Sequence, residues 1–253
     1  MEDEIMRKFL SVNKQSNSSR IGKYASKKET FYEDIEKWQN ERTKEKYDIR
    51  PIQFTFEITN RCNCNCKDCG MSANSIIEGK TKLTENDVYK LVDDLYENGV
   101  PAFAITGGEP FLEFDNMCKM IKYSEGKVDV NKIISNGFWG RNAEHYFKKI
   151  EEAGLFNNQF FVPSIQISIG EQTIPLEYIC NIINYVSKHY TIEQLNLGIV
   201  HTRLKGEKES QLQKLYDIYL QKFGQFPEGR IYLTDSYYVN SNINAKEKIE
   251  TYS

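Results

Sequence analysis

Long apolar runs are missing from this chain of 253 residues. No stretch comes near the roughly 18 consecutive apolar residues that a membrane-spanning helix needs. The N-terminus, Met1-Glu2-Asp3-Glu4, is acidic, and no apolar core of a signal peptide follows it. A cytoplasmic location is therefore expected. An excess of one charge is missing too. The 33 basic and 36 acidic side chains leave a formal net charge of -3, which gives no electrostatic argument for nucleic acid or membrane partners. HExxH, P-loop and GxSxG patterns do not occur. A spread-out disulfide framework is also lacking. Of six cysteines, four fall between Cys62 and Cys69, while Cys118 and Cys180 stand alone among apolar residues, as buried core thiols would. A tight cluster in a cytosolic chain argues for metal.

Ordinary globular material surrounds that cluster, 40% hydrophobic and 27% charged, enough for one large core. Residues 1–50 read as a separate N-terminal extension. Ser11 to Ser19 is polar. Phe31, Ile35 and Trp38 share one face of a short, otherwise solvated helix. Pro51 marks the boundary of a core domain over 51–253.

Strand and helix signals then alternate about six times. Ile52 to Ile58, Ala102 to Ile105, Val128 to Ile134, Ser164 to Ile169, Leu195 to Val200 and Arg230 to Leu233 read as strands. Between them, Thr84-Glu-Asn-Asp87 reads as a capping box before Val88, Leu91, Val92 and Leu95, with Gly99 closing the helix. Met117, Met120 and Ile121 mark a second helix. Asn142 caps a third, through Phe147 and Ile150 to Gly154. Pro175 opens a fourth, and Leu212, Leu215 and Ile218 line a fifth. This α/β alternation implies parallel strands with helices packed outside. A doubly wound sheet and a barrel both fit, and in either the ligand sites lie at the C-terminal ends of the strands. The cysteine loop, Thr106 to Pro110, Ser135-Asn136 and Gly170-Glu171 all follow strand ends.

Cys62, Cys66 and Cys69 are spaced C-x3-C-x2-C. Three thiolates on one loop can grip three irons of a [4Fe–4S] cube and leave the fourth open. With Cys64 included, a closed electron-transfer or sensing cluster, or structural zinc, also fits. The run Glu57-Ile-Thr-Asn-Arg-Cys62-Asn-Cys-Asn-Cys66-Lys-Asp-Cys69 resembles the signature of the radical S-adenosylmethionine (SAM) superfamily. Gly107-Gly-Glu-Pro110 resembles its GGEP motif and Ser135-Asn136-Gly137 its (S/T)NG motif.

The resemblance implies a (β/α)6 partial barrel and a cluster bound by Cys62, Cys66 and Cys69. The open iron would be chelated by the methionyl group of SAM. One electron, from a donor such as flavodoxin or ferredoxin, would give a 5′-deoxyadenosyl radical that takes hydrogen from the substrate. Gly107, Gly108 and Glu109 would lie against the methionyl amine. Ser135, Asn136 and Ser168 would be further cofactor contacts, and Gly198-Ile-Val200 would lie against adenine. Two departures stand out. Asp68 occupies a position usually aromatic in that superfamily, and Cys64 is an added thiol. His201, after the fifth strand, reads as a solvated loop residue, with a substrate-facing position as the competing reading.

Around the motifs, the wording resembles members that act on peptides in natural-product maturation. The chain carries no cysteine beyond Cys180, which argues against auxiliary-cluster chemistry or for a longer parent protein. A glycyl-radical-enzyme activase and a small-molecule heterocycle synthase are the competing readings.

Overall fold

The structure, a computed structural model, describes residues 7–8, 10–11, 27, 30–43, 50–66, 69, 83–170, 174–203 and 211–237. Asp68, Glu171, Tyr238 and the polar stretch 12–19 lie outside the described residues.

The strands are β1 (Leu10–Ser11), β2 (Phe54–Thr59), β3 (Ala102–Gly107), β4 (Asp129–Ser135), β5 (Ser164–Ile169), β6 (Asn196–Arg203) and β7 (Ile231–Tyr237). The helices are α1 (Phe31–Arg42), α2 (Glu85–Glu97), α3 (Phe114–Ser124), α4 (Ala143–Glu152), α5 (Leu176–His189) and α6 (Gln211–Phe223). One parallel sheet runs β1-β7-β6-β5-β4-β3-β2. From β2 to β7 the order in space is the order in sequence, with one α-helix between each pair among the described residues. A doubly wound sheet would reverse its order at a switch point; this one does not, which leaves the barrel. Among the described residues no ladder joins β2 to β1 or β7, so the barrel is partial.

β5 shows how the layers are assigned. Ile165, Ile167 and Ile169 are buried in the main core with Ile179 and Ile183 of α5, while Ser164, Gln166 and Ser168 alternate between them and are half-buried. One face of the sheet is thus apolar and helix-covered, and the other lines a more polar lumen. α2 begins with the expected capping box. Thr84 N–H donates to Asp87 Oδ2 at 2.9 Å, and Asp87 N–H donates to Thr84 Oγ1 at 3.3 Å. Asn142 is the residue before α4, but its side chain makes no cap bond.

The extension is less solvated than its sequence suggests. Phe31, Ile35 and Trp38 of α1 are buried in a second core with Ala102, the first residue of β3, and with Phe160 and Phe161, just before β5. Phe31 meets Phe161 edge-on at 5.0 Å, and Trp38 meets Phe160 at 6.0 Å. Gln39 Nε2 donates to the Gly99 carbonyl at 2.8 Å and the Pro51 carbonyl at 3.2 Å. Asp129 fixes the same floor by accepting the N–H groups of Gln159, Phe160 and Phe161 at 2.7, 2.6 and 2.8 Å. α1 therefore plugs the N-terminal end of the barrel, opposite the end where the motifs lie. β1 adds Leu10 opposite Tyr232 and Ser11 opposite Leu233.

Trp38→Ala is expected to cost about 3–5 kcal/mol of stability, the range for truncating a large buried aromatic. Denaturant unfolding followed by circular dichroism measures it; a change under 1 kcal/mol would show that the plug adds little.

Candidate active site

Backbone contacts weld the cysteine loop to the GGEP turn. Thr59, the last residue of β2, pairs with Gly107 at the end of β3. Beyond that pair, Gly108 N–H donates to the Thr59 carbonyl and Glu109 N–H to the Arg61 carbonyl, both at 2.7 Å. A Cβ at Gly107 would fall on the Thr59 carbonyl oxygen, and one at Gly108 on that of Arg61. The glycines are needed because the cysteine loop's own backbone lies where a side chain would go. Sequence reasoning assigned them to the approach of a ligand. Arg61 Nη1 adds an ion pair to the buried Glu113 at 2.7 Å.

Glu109 joins the second motif to the third. Its side chain is fully buried. Oε1 accepts from Phe111 N–H at 3.1 Å and Ser135 Oγ at 2.9 Å, and Oε2 accepts from Asn136 N–H at 2.7 Å. Burial pushes the carboxyl up to about 7, against the pull of these three donors. Ser135 Oγ in turn accepts from Gly137 N–H and Trp139 Nε1, both at 3.0 Å. One donated and two accepted bonds use the full capacity of a hydroxyl. Trp139 stacks on Phe111 at 4.4 Å, closing the apolar side of the network.

Asn136 completes the junction. Its Nδ2 donates to Asn63 Oδ1 at 2.8 Å and to Cys64 Sγ at 3.3 Å, and its Oδ1 accepts from Phe138 N–H at 3.0 Å. Three segments far apart in sequence thus converge on one locus. Arg61, Asn63, Glu113 and Trp139 also build it. Arg61 and Asn63 stand within the cysteine motif without a role assigned from sequence, and the sequence signal of Glu113 and Trp139 was adjacency to the motifs.

All six cysteines are free thiols. Cys62 and Cys64 are buried, Cys66 and Cys69 half-buried, and Ile174 packs against the group. Hydrogen bonding from Cys64, then from the Asn136 amide and the Asn63 backbone, pulls the Cys62 thiol down to about 6, towards the thiolate that binds metal. Cys64 is pushed up, first by its bonds to Cys62 and Cys66. The donor set fits an iron–sulfur cluster: soft thiols, contiguous, with no disulfide among them. Among the described residues no three His, Cys, Asp or Glu side chains converge on a single ion. A cluster does not ask them to, since each thiolate binds a different iron.

Ser168, Gly198 and Val200 lie on the lumen face, with Ser168 opposite Val200 and Gln166 opposite Gly198. Ile199 between them is buried under the helices. His201 differs from expectation. β6 runs three residues beyond Val200, so His201 lies in the strand, 1% exposed, on the side of Leu197 and Ile199. It is neither solvated nor in the lumen. Cys180 is a core thiol, its Sγ 3.5 Å from the Leu215 carbonyl, while Cys118 is half-buried; burial pushes both up to about 12.

A family model described as "Radical SAM superfamily" matches residues 56–217, the span that contains all three motifs and most of the barrel. The chain belongs to the radical SAM superfamily. Its cofactors are accordingly a [4Fe–4S] cluster and S-adenosylmethionine, and it is an enzyme. Among curated proteins, this radical SAM chain is similar to a putative peptide biosynthesis protein, YydG, of Bacillus subtilis. The two are 24% identical over 181 residues, 69% of this chain and 55% of that one. The antilisterial bacteriocin subtilosin biosynthesis protein AlbA of the same organism is 35% identical over 87 residues, 34% of this chain and 19% of that one. A probable GTP 3′,8-cyclase of Methanococcus maripaludis is 32% identical over 111 residues, 44% of this chain and 36% of that one. The chain thus spans about half the length of the first relative, and less of the others. Among the described residues no helix is long and apolar enough to cross a membrane.

Gly108→Ala is expected to displace the Arg61 backbone and lower bound iron after reconstitution, with a stability loss of about 3 kcal/mol. Gly126→Ala is the control: a Cβ there meets nothing within 4 Å, and its one strain is a positive φ of 76°, which Gly108 does not have. Iron analysis and the thermal midpoint check both; equal iron in the two variants would contradict the weld.

Proposed function

We propose that this chain cleaves SAM reductively and uses the resulting radical to abstract hydrogen from a peptide, in the cytoplasm, during maturation of a peptide natural product. The observation that carries the first half is the bonded junction of Cys62–Cys69, Gly107–Glu109 and Ser135–Asn136 at one end of the barrel. Two relatives whose names refer to peptide or bacteriocin biosynthesis support the second half.

Cys62, Cys66 and Cys69 hold the cluster in this reading. When bound, the cluster and SAM supply the electron and the 5′-deoxyadenosyl radical. A small reductant such as flavodoxin or ferredoxin delivers the electron. The chain's own residues position and shield. Gly107 and Gly108 set the height of the cysteine loop over β3. Glu109 holds the Asn136 backbone, and Asn136 holds Asn63 and Cys64. The Ser135 hydroxyl is saturated inside the protein, so it positions the turn rather than reaching outward. Ser168, with Gly198 and Val200, offers the lumen surface for the nucleoside. No catalytic side chain is assigned. Cys64 is outside the ligand set, being the most buried of the four thiols and taken up by the Asn136 amide.

The relative that is a probable GTP 3′,8-cyclase supports a second reading, a small heterocyclic substrate in the same lumen.

The test is anoxic reconstitution with iron and sulfide, then dithionite and SAM, with 5′-deoxyadenosine measured by chromatography. Cys66→Ala and Cys69→Ala are expected to lose the cluster and the product, whereas Cys64→Ala keeps both. Loss of the cluster in Cys64→Ala would instead establish a closed four-thiol site. GTP that raises 5′-deoxyadenosine formation would select the second reading.

A further inference from the structure

The lumen contains a charge that the cofactor chemistry does not use. Ile133 of β4 is fully buried beneath the helices, so its neighbours Lys132 and Ile134 face the other way. Register places Lys132 level with Ala104 of β3 and Ser164 of β5, the latter alternating with the helix-facing Ile165. Both flanking side chains are small. Below it, Asn131 Nδ2 donates to Gln53 Oε1 at 2.6 Å, which ties β4 to the foot of β2. Lys132 itself is half-buried, and among the described residues it makes no hydrogen bond or ion pair. Burial alone lowers its ammonium from the ordinary lysine range.

Surface lysines are normally unpaired, but this one is in the middle of a buried parallel strand, where sequences run apolar. Holding an ammonium there without a counter-ion is costly, and the cost falls when an anion arrives. Of the strand residues whose side chains are described, Lys132 alone carries a permanent positive charge. The lumen carboxylate Glu57 is exposed on the edge strand β2, paired with Thr106 rather than with the lysine's tier. One compact cation with hydroxyl and amide neighbours matches a monoanion; a phosphate dianion draws on forked guanidinium groups or a helix N-terminus, which this tier lacks. Three residues of strand, about 10 Å, separate Lys132 from the motif residue Ser135.

We infer that Lys132 is a specificity-determining residue, seating a carboxylate of the substrate deep in the barrel and so setting which substrate atom lies beneath the cysteine loop. The inference rests on the reading that the substrate enters this lumen. The carboxylate can come from an acidic side chain or from a peptide C-terminus.

The test is pulse acetylation of the reconstituted chain under anoxia with acetic anhydride, each lysine quantified by peptide mass spectrometry. Four probes are titrated: the α-methylamide of N-acetylaspartate (side-chain carboxylate), N-acetylglycine (terminal carboxylate), the neutral α-methylamide of N-acetylasparagine, and inorganic phosphate. Carboxylate probes are expected to protect Lys132 saturably, about ten-fold at ten times the dissociation constant. The exposed Lys90 and Lys148 serve as references whose rates do not change. The more protective carboxylate identifies the source. Equal labelling with the carboxylate and neutral probes, or protection by phosphate as strong as by carboxylate, overturns the inference. 5′-Deoxyadenosine is measured on the same preparation: its absence would remove the proposed reaction, while Lys132 protection is read independently of it.

Discussion

One buried carboxylate organises the site. Glu109 has both oxygens engaged inside the protein, by Phe111, Ser135 and Asn136, in a place where its charge is poorly solvated. An ionisable group can be kept there because every bond it makes is to a fixed donor, two of them backbone. The consequence is geometric. The ends of β3 and β4 are locked to each other, and the glycines before Glu109 lock β3 to the entry of the cysteine loop. Three strand ends become one rigid platform. Among the described residues the cysteine loop forms no helix or strand; its placement comes from the backbone bonds at Thr59 and Arg61 and from the Asn136 amide.

The rest of the molecule supports that platform from opposite directions. Helices α2–α6 cover the apolar face of the sheet, and α1 with Phe160 and Phe161 plugs the far end. What remains is a lumen face with polar positions on β2, β4 and β5. This division separates stability from chemistry. The isoleucines of β5 hold the fold, and the serines and glutamine between them face the lumen.

Much of this was legible in the sequence, for reasons that can be named. Cysteine spacing is a local property of one loop, and the Thr84–Asp87 capping box is complete within four residues. The alternation of Ser164 to Ile169 reports both faces of one strand. The alternation of elements alone does not separate a barrel from a doubly wound sheet; the motif resemblance implied the partial barrel, and the spatial order of the strands bears it out. The burial of α1 was hidden because its partners Phe160 and Phe161 lie more than a hundred residues away. His201 was misplaced because β6 continues past its apolar run into residues whose hydrogen bonds, not their hydropathy, make them strand. The glycines of GGEP were recognised, but their physical reason depends on the path of a different segment. Lys132 left a trace, a lone lysine within Val-Asn-Lys-Ile-Ile, whose meaning depends on which face of β4 it occupies.

The central claim is that three thiols hold the cluster and leave one iron for SAM. Electron paramagnetic resonance of the reconstituted, dithionite-reduced chain, recorded with and without SAM, tests it most directly. The account predicts a reduced-cluster signal whose shape changes when SAM is added, in the native chain and in Cys64→Ala alike. A signal that SAM leaves unchanged, or one lost with Cys64, would contradict it.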